Sequence, residues 1–348
     1  MRWCVAKCLV IGAAAAAALC GCSSEQVDRL LDAAAETPDL PVASIPAVPP
    51  DAAQRGRDEA GGTRTASLPQ ADPIGGSAPA GRRPHLRMAA FNIQVFGETK
   101  AGKPHVMRHL SQICRQFDLI AVQEIRSKNV DVCGQLVRRM NADGRRYGYL
   151  LSERIGRTVS MEQYAYIYDT ARVRPVRGSV YVLPDPHEDF HREPFVARFV
   201  TADPGTGRSP FSFTLVNIHT DPDEADIWEL DRLDDVLEAI QRDGSGEDDV
   251  ILLGDFNADD RSLGELGAMR HVVAAIRQEP TNTRGTAMYD NIVFDRTRTT
   301  EFTGLAGVYN FESEFGLTRR EALEISDHLP VWADFYVGEA TGSMMAGP

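Results

Sequence analysis

The chain has 348 residues, 43% of them hydrophobic, with 37 lysines and arginines against 50 aspartates and glutamates and a formal net charge of −13. That balance excludes a protein that grips nucleic acid through a broadly basic surface, but not an enzyme that meets phosphate through metal ions and a few arginines. The length allows one large domain or two small ones.

Residues 1–22 open with Arg2 and Lys7, continue as an apolar, alanine-rich run and end in small residues. This reads as a secretory signal, too short for a comfortable membrane span. Its end, Leu19-Cys20-Gly21-Cys22, resembles a bacterial lipobox. Cys22 would then be the lipid-modified first mature residue, and the protein would be exported and anchored to the cell envelope by lipid alone. Ordinary cleavage nearby, with Cys22 incidental, is the alternative. Residues 23–84 are rich in Pro, Ala, Asp and Gly and nearly free of aromatics, as expected of a solvated tether. Residues 339–348 read as a loose tail, leaving 85–338 for a single domain. Of six cysteines only Cys114 and Cys133 fall inside it. Both lie on apolar faces of expected helices and read as buried thiols, with one disulfide as the alternative in an exported protein.

Within the domain a strand ending at Asn92 leads to a helix over 104–117, with Val106, Leu110, Ile113 and Phe117 on one face and Pro104 in its first turn. A strand ending at Glu124 leads to a helix over 130–140. Strand-like runs follow at 147–151, 164–168, 179–183, 195–200 and 211–218. Ile227, Leu230, Leu233, Leu237 and Ile240 recur at helical spacing, which makes the surrounding carboxylates a solvated helix face. Strands at 250–253, 291–294 and 331–336 close the chain. Helices interleaved at both ends with meanders between them predict an α/β fold: a four-layer sandwich of two packed mixed sheets flanked by helices.

Four strings carry the chemistry: Phe91-Asn92-Ile93-Gln94, Gln123-Glu124-Ile125-Arg126, Gly254-Asp255-Phe256-Asn257 and Ser326-Asp327-His328. Each is expected where an apolar strand stops and presents a polar side chain at a sheet edge, least cleanly at Ser326. Glu124 ends a wholly apolar run, where a charge needs a reason; a metal ion supplies one, and a salt bridge to Arg126 is the plainer reading. Asp255 and Asn257 alternate around Phe256, so they can face one point or simply cap a turn. His219 and His328, each expected to follow a strand, suit a general acid and a general base. Such histidines work best when a carboxylate holds one ring nitrogen, and Glu162 and Asp290 are the candidates. The other histidines, including His85, His109 and His191, read as surface residues. Carboxylates, amides and two histidines are what water needs to break a phosphodiester bond.

The order of these motifs resembles the endonuclease/exonuclease/phosphatase superfamily, and within it the secreted deoxyribonuclease I branch. The narrower matches are Gln123 to Arg126, Phe190-His191-Arg192-Glu193-Pro194 and Tyr289-Asp290-Asn291-Ile292-Val293. The resemblance implies hydrolysis of DNA with little sequence preference, by a protein that works as a monomer without a protein partner. Glu124 would bind a catalytic Mg²⁺ (or Mn²⁺), with Asn92, Asp255 and Asp327 around metal and phosphate. Asn257 would touch the scissile phosphate, Glu162 would hold His219, and Asp290 would hold His328. Arg126 and Arg192 would contact DNA.

The chain also departs from that pattern. Ser160 and Thr158 stand where the family has an aromatic and an asparagine, and Asp260 and Ala287 replace a disulfide. Two structural Ca²⁺ loops are implied in part, one from Asp185, Glu188 and Glu193, the other from Glu279, Thr281 and Thr283; solvated loops are the alternative. Two rivals stand beside the nuclease: a membrane-held phosphodiesterase of phospholipid head groups, and a catalytically silent scaffold on the same fold.

Overall fold

The computed structural model describes residues 64–65, 84–157, 161–205, 207–222 and 228–339. Cys22 with the expected signal, Thr158, Ser160 and the tail from 340 on lie outside the described residues. Two residues of the expected tether form a short strand, β1 (Arg64–Thr65). The long β2 (His85–Phe96) leads through α1 (Glu98–Ala101) and α2 (Pro104–Cys114) to β3 (Leu119–Ile125) and α3 (Val132–Met140). Then come β4 (Tyr147–Leu151), β5 (Gln163–Asp169), β6 (Val173–Pro175), β7 (Tyr181–Val182), β8 (Phe195–Thr201) and β9 (Ser212–His219). The helix α4 (Leu233–Gln241) precedes β10 (Val250–Asp255), α5 (Gly264–Ala268), β11 (Val272–Ala274) and β12 (Asp290–Asp295). Last are β13 (Phe302–Val308), α6 (Phe311–Glu314), α7 (Arg319–Ile325) and β14 (Val331–Tyr336). Among the described residues no helix is long and apolar enough to cross a membrane.

The strands form two mixed sheets, ordered β1-β13-β14-β2-β3-β5-β4 and β11-β12-β10-β9-β8-β6, with β7 against β8. They pack face to face with helices outside, as the strand and helix pattern predicts. β10 shows why. Ile251 and Leu253 on one face join the core shared by both sheets, whereas Val250 and Leu252 on the other pack with Leu233, Leu237 and Ile240 of α4. A strand covered on both faces reads as a continuous apolar run, which is what the sequence shows at 250–253. Between the sheets, Tyr166 of β5 stacks on Phe195 of β8 at 5.2 Å, and Phe335 of β14 meets Phe294 of β12 at 5.5 Å. Polar contacts also cross this apolar layer: Tyr166 Oη of β5 donates to the Phe195 carbonyl of β8 at 2.7 Å, and Gln123 Nε2 of β3 donates to Asn217 Oδ1 of β9 at 2.6 Å. The Asn217 amide in turn donates to the carbonyls of Val122 (3.3 Å) and Ala165 (3.2 Å).

The strands are irregular where they carry polar residues. β2 and β3 lose register between Asn92 and Phe96, and β3 and β5 between Val122 and Ile125. Gln94, Val95 and Glu124 take positive φ there, at 38°, 48° and 61°. Bulges of this kind re-aim side chains beside a site, and the strained backbone persists only where its surroundings fix it. Gly254 has φ 147°, and a Cβ on it would meet the Ile218 carbonyl at 2.0 Å. Only glycine lets β10 lie this close to β9 one residue before Asp255.

Several expectations change. Ser326-Asp327-His328 follows a helix, α7, capped by Thr318 and Glu321, and not a strand. Ile227 lies outside the described residues; of the helix expected there, Leu230–Arg232 form a 3₁₀ turn and the chain is α-helical from Leu233. β13 escaped notice because Thr303-Gly304-Leu305-Ala306-Gly307 has two glycines and an irregular register. Cys114 and Cys133 are free and buried, and burial pushes both thiols up.

Candidate active site

Five strand ends and two loops bring the motif residues together at one end of the sandwich. Asn92, in the bulged β2, is fully buried and donates through Nδ2 to Glu124 Oε1 (3.2 Å) and Asp255 Oδ2 (3.0 Å). Glu124 Oε2 accepts from Val95 N–H (2.7 Å) and pairs with Arg126 Nη2 (3.2 Å). Both readings of Asp255 hold at once. Oδ1 accepts from Asn257 N–H (3.0 Å) and caps the turn, while Oδ2 faces the site. Asn257, at φ 47°, donates its side-chain amide to the Thr220 carbonyl at 2.8 Å.

Each histidine is held through Nδ1 by a buried carboxylate: His219 by Glu162 at 2.8 Å and His328 by Asp290 at 2.9 Å. The pairs are crossed between the sheets. His219 ends β9 of the second sheet while Glu162 immediately precedes β5 of the first; Asp290 begins β12 of the second while His328 leads into β14 of the first. Both Nε2 atoms point inward, and each lies 3.6 Å from the same Asp255 Oδ2.

Burial alone would lower His219, but the Glu162 carboxylate outweighs it and holds the imidazole above its ordinary value. Glu162, despite burial that would raise it, is held below the usual carboxylate range by His219, Arg192 and Arg126. Burial opposes protonation of His328 too, yet Asp290 and Asp255 raise it to about 10. Asp290 is itself pushed up by burial, only partly offset by His328.

Other residues support the site in ways no motif signalled. Lys100, a residue of α1, donates Nζ to the carbonyls of Ile93 (2.8 Å), Gln94 and Ile325 (2.7 Å), tying the bulged end of β2 to the end of α7. Burial lowers it to about 8 against the pull of Asp327 and Glu124. Ser326 Oγ reinforces the same junction by donating to the Asn92 carbonyl at 2.7 Å. Lys100 is half-buried, and a lysine in this short polar segment gives no sequence sign of these contacts.

The structure moves several expected residues to other work. Arg192 is buried (5% exposed); it pairs with Glu162 at 3.4 Å and donates to the His219 carbonyl at 3.1 Å, so it lies behind the site and not on a DNA-facing surface. Arg126 remains partly exposed. Thr281 Oγ1 donates to Asp290 Oδ2 (2.8 Å) and Thr283 Oγ1 to the Ser326 carbonyl (2.8 Å), so both hydroxyls hold the His328 loop. Glu279 shares none of these contacts. In the other expected Ca²⁺ loop, Asp185 caps its own turn by accepting from Asp189 N–H (2.9 Å) and Phe190 N–H (2.8 Å). Glu188 and Glu193 do not gather with it into a cation-sized group. His191 is only 11% exposed and sits 3.5 Å from Asp221, His85 packs on Tyr336, and His109 on Phe315. All three are half-buried at the surface, with partners.

The donor set fits a hard cation. Ligand atoms of Asp255, Asp290 and His328 lie within 4.8 Å of one another. Asp290 Oδ1 and Asp327 Oδ1 are buried without a hydrogen-bond partner. Buried carboxylate oxygens without donors are costly unless a cation or proton meets them.

Residues 89–328 match the model of the Endonuclease/Exonuclease/phosphatase family. The chain belongs to that family. Human deoxyribonuclease-1-like 2 is 34% identical over 277 residues, covering 71% of this chain and 90% of the relative. Dog deoxyribonuclease-1 is 31% identical over 268 residues, covering 71% and 90%. Among solved structures, a family protein from Bacteroides thetaiotaomicron superposes with a TM-score of 0.50 at 16% identity, covering 73% of this chain and 98% of its own. That last likeness shows the shared fold. Family membership and the deoxyribonuclease relatives support a hydrolase acting on phosphodiester bonds, of the deoxyribonuclease I-like kind.

Proposed function

We propose that this protein is a divalent-metal-dependent endonuclease that hydrolyses DNA with little sequence preference. The observation that carries the reading is the convergence of two carboxylate-held histidines, through Nε2 at 3.6 Å each, on Asp255 Oδ2. Deoxyribonucleases among the relatives favour DNA over phospholipid head groups as substrate.

Glu124, Asp255 and Asp327, with Asn92, would hold the Mg²⁺ or Mn²⁺ ion, which supplies positive charge to the phosphate oxygens when bound. The protein's own residues do the rest. One imidazole takes the proton of the attacking water at Nε2 and the other gives a proton to the leaving oxygen, each oriented through Nδ1 by its carboxylate. The Asn257 amide, anchored on the Thr220 carbonyl, would meet the charge that develops on the phosphoryl oxygens, while Asn92 holds Glu124 and Asp255 toward the ion. Arg126, partly exposed beside Glu124, suits a backbone phosphate of the duplex.

We further propose that the chain is exported and held to the bacterial envelope by lipid on Cys22, on the strength of the Leu19 to Cys22 string and the polar spacer behind it.

The deciding experiment digests supercoiled plasmid and sphingomyelin vesicles in parallel, with Mg²⁺ or with EDTA. Nicked plasmid with Mg²⁺ only, and intact lipid, is expected. Lipid turnover with intact plasmid would transfer the assignment to the phospholipid reading, and cleavage in EDTA would end the metal mechanism.

A further inference from the structure

At the opposite end of β10 from Asp255, a second set of carboxylates crowds together. Asp249 immediately precedes β10, Glu301 immediately precedes β13, and Glu339 follows β14. One carboxylate oxygen from each lies within 4.8 Å of the other two, and Glu247 and Asp248 form an equally tight group with Asp249. At about 3.3 Å per strand residue, the six residues of β10 place this cluster roughly 20 Å from the histidines.

An acidic cluster alone means little on a solvated surface. This one is not solvated: Asp249 is 7% exposed and Glu301 2%. Asp249 Oδ1 is buried with no hydrogen bond of good geometry, and the neighbouring Thr299 hydroxyl only partly offsets the burial. Among the described residues no arginine or lysine pairs with Asp249; the nearby Arg298 is spent on Asp248 at 2.8 Å and Arg198 on Asp243 at 3.8 Å. Other oxygens of the group are already oriented. Glu247 Oε1 accepts from Asp249 N–H (3.0 Å) and Glu339 Oε1 from Ser212 N–H (3.0 Å). Burial, and then Glu301, Glu247 and Glu339, push Asp249 up to about 9, well beyond any ordinary carboxylate.

We propose that Asp249, Glu301 and Glu339, supported by Glu247, form a structural divalent-cation site of the calcium class, separate from the catalytic centre. The donors are all carboxylate oxygens, from segments that need not keep octahedral angles; this suits Ca²⁺ better than Mg²⁺, which dehydrates reluctantly. The ligands come from both sheets, Asp249 from the second and Glu301 and Glu339 from the first. An ion there clamps the sandwich at the end remote from catalysis.

The test is thermal unfolding of the full chain stripped with EDTA and titrated with Ca²⁺, in wild type, Glu124→Ala, Asp249→Asn and Glu339→Gln. Glu124→Ala removes a catalytic-ion ligand, so a shift that survives in it belongs elsewhere. Wild type and Glu124→Ala should both gain roughly 5–10 °C in Tm once Ca²⁺ reaches about 100 times its dissociation constant. Asp249→Asn and Glu339→Gln should lose that gain while keeping Mg²⁺-supported turnover. Calorimetric titration of Ca²⁺ into Glu124→Ala gives a direct readout if a cluster variant fails to fold; heat of binding at one site is expected. A Ca²⁺ gain that disappears in Glu124→Ala, or persists in both cluster variants, would overturn the proposal. So would a wild type indifferent to Ca²⁺ beside a metal-free Asp249→Asn of higher Tm, since the cluster would then be a shared-proton site.

Discussion

Gln123 and Asn217 meet across the apolar layer between the sheets through one side-chain hydrogen bond of 2.6 Å, directly beneath the catalytic strand ends. Both side chains are fully buried. Gln123→Leu strands the Asn217 oxygen without a donor, and a buried unsatisfied group costs about 1–3 kcal/mol. Denaturant unfolding of both single variants and the double should show strong coupling, the double costing less than the sum. Additive losses would mean that the contact contributes nothing specific.

His219→Ala and His328→Ala should each lower DNA turnover by about 10²–10⁴-fold, the usual contribution of positioned proton transfer. Circular dichroism should show both variants folded. Near-normal plasmid nicking by the double variant would remove the histidines from the mechanism.

Glu162 holds His219 above its ordinary pKa, so the protonated imidazole persists to higher pH than in a free histidine. Glu162→Gln withdraws the anion and lets burial lower His219. The limb of the pH–kcat/KM profile that reports His219 should then move to lower pH, whether the residue serves as base or as acid. Unmoved limbs with a uniformly lower rate would show that Glu162 only packs.

The two arginines should separate. Arg192 is buried against Glu162 and the His219 carbonyl, so Arg192→Ala should slow DNA and bis(p-nitrophenyl) phosphate alike. Arg126→Ala should weaken duplex binding more than small-substrate turnover and reduce the salt slope by about one. Equal losses on both substrates from Arg126→Ala would confine it to the phosphoryl centre.

Cys22→Ala should release the protein from detergent extracts as a soluble, active enzyme, whereas wild type partitions with detergent and carries lipid on Cys22. A soluble wild type that begins at another residue would refute the anchor.

Much of this was legible in the sequence because the catalytic side chains end runs that are themselves diagnostic. Val250 to Leu253 is apolar throughout since both its faces are covered, so Asp255 behind it stands out. His328 was legible as a residue and not as a place, since a capped helix supplies what a strand was expected to. The interior contacts of Arg192, Thr281 and Thr283 were not legible, because composition cannot tell an exposed donor from one engaged in the interior. Lys100 and the Asp249 group had no signal at all. Their partners lie on segments far apart in the chain, and only the packing of one sheet on the other brings them together.

The crossed arrangement of the histidine pairs makes activity a gauge of how the two sheets are seated. Each pair takes its imidazole from one sheet and its carboxylate from the other, so a slip between sheets detunes both proton-transfer partners together. The two pairs are therefore exposed together to any loosening of the layer where Tyr166 stacks on Phe195.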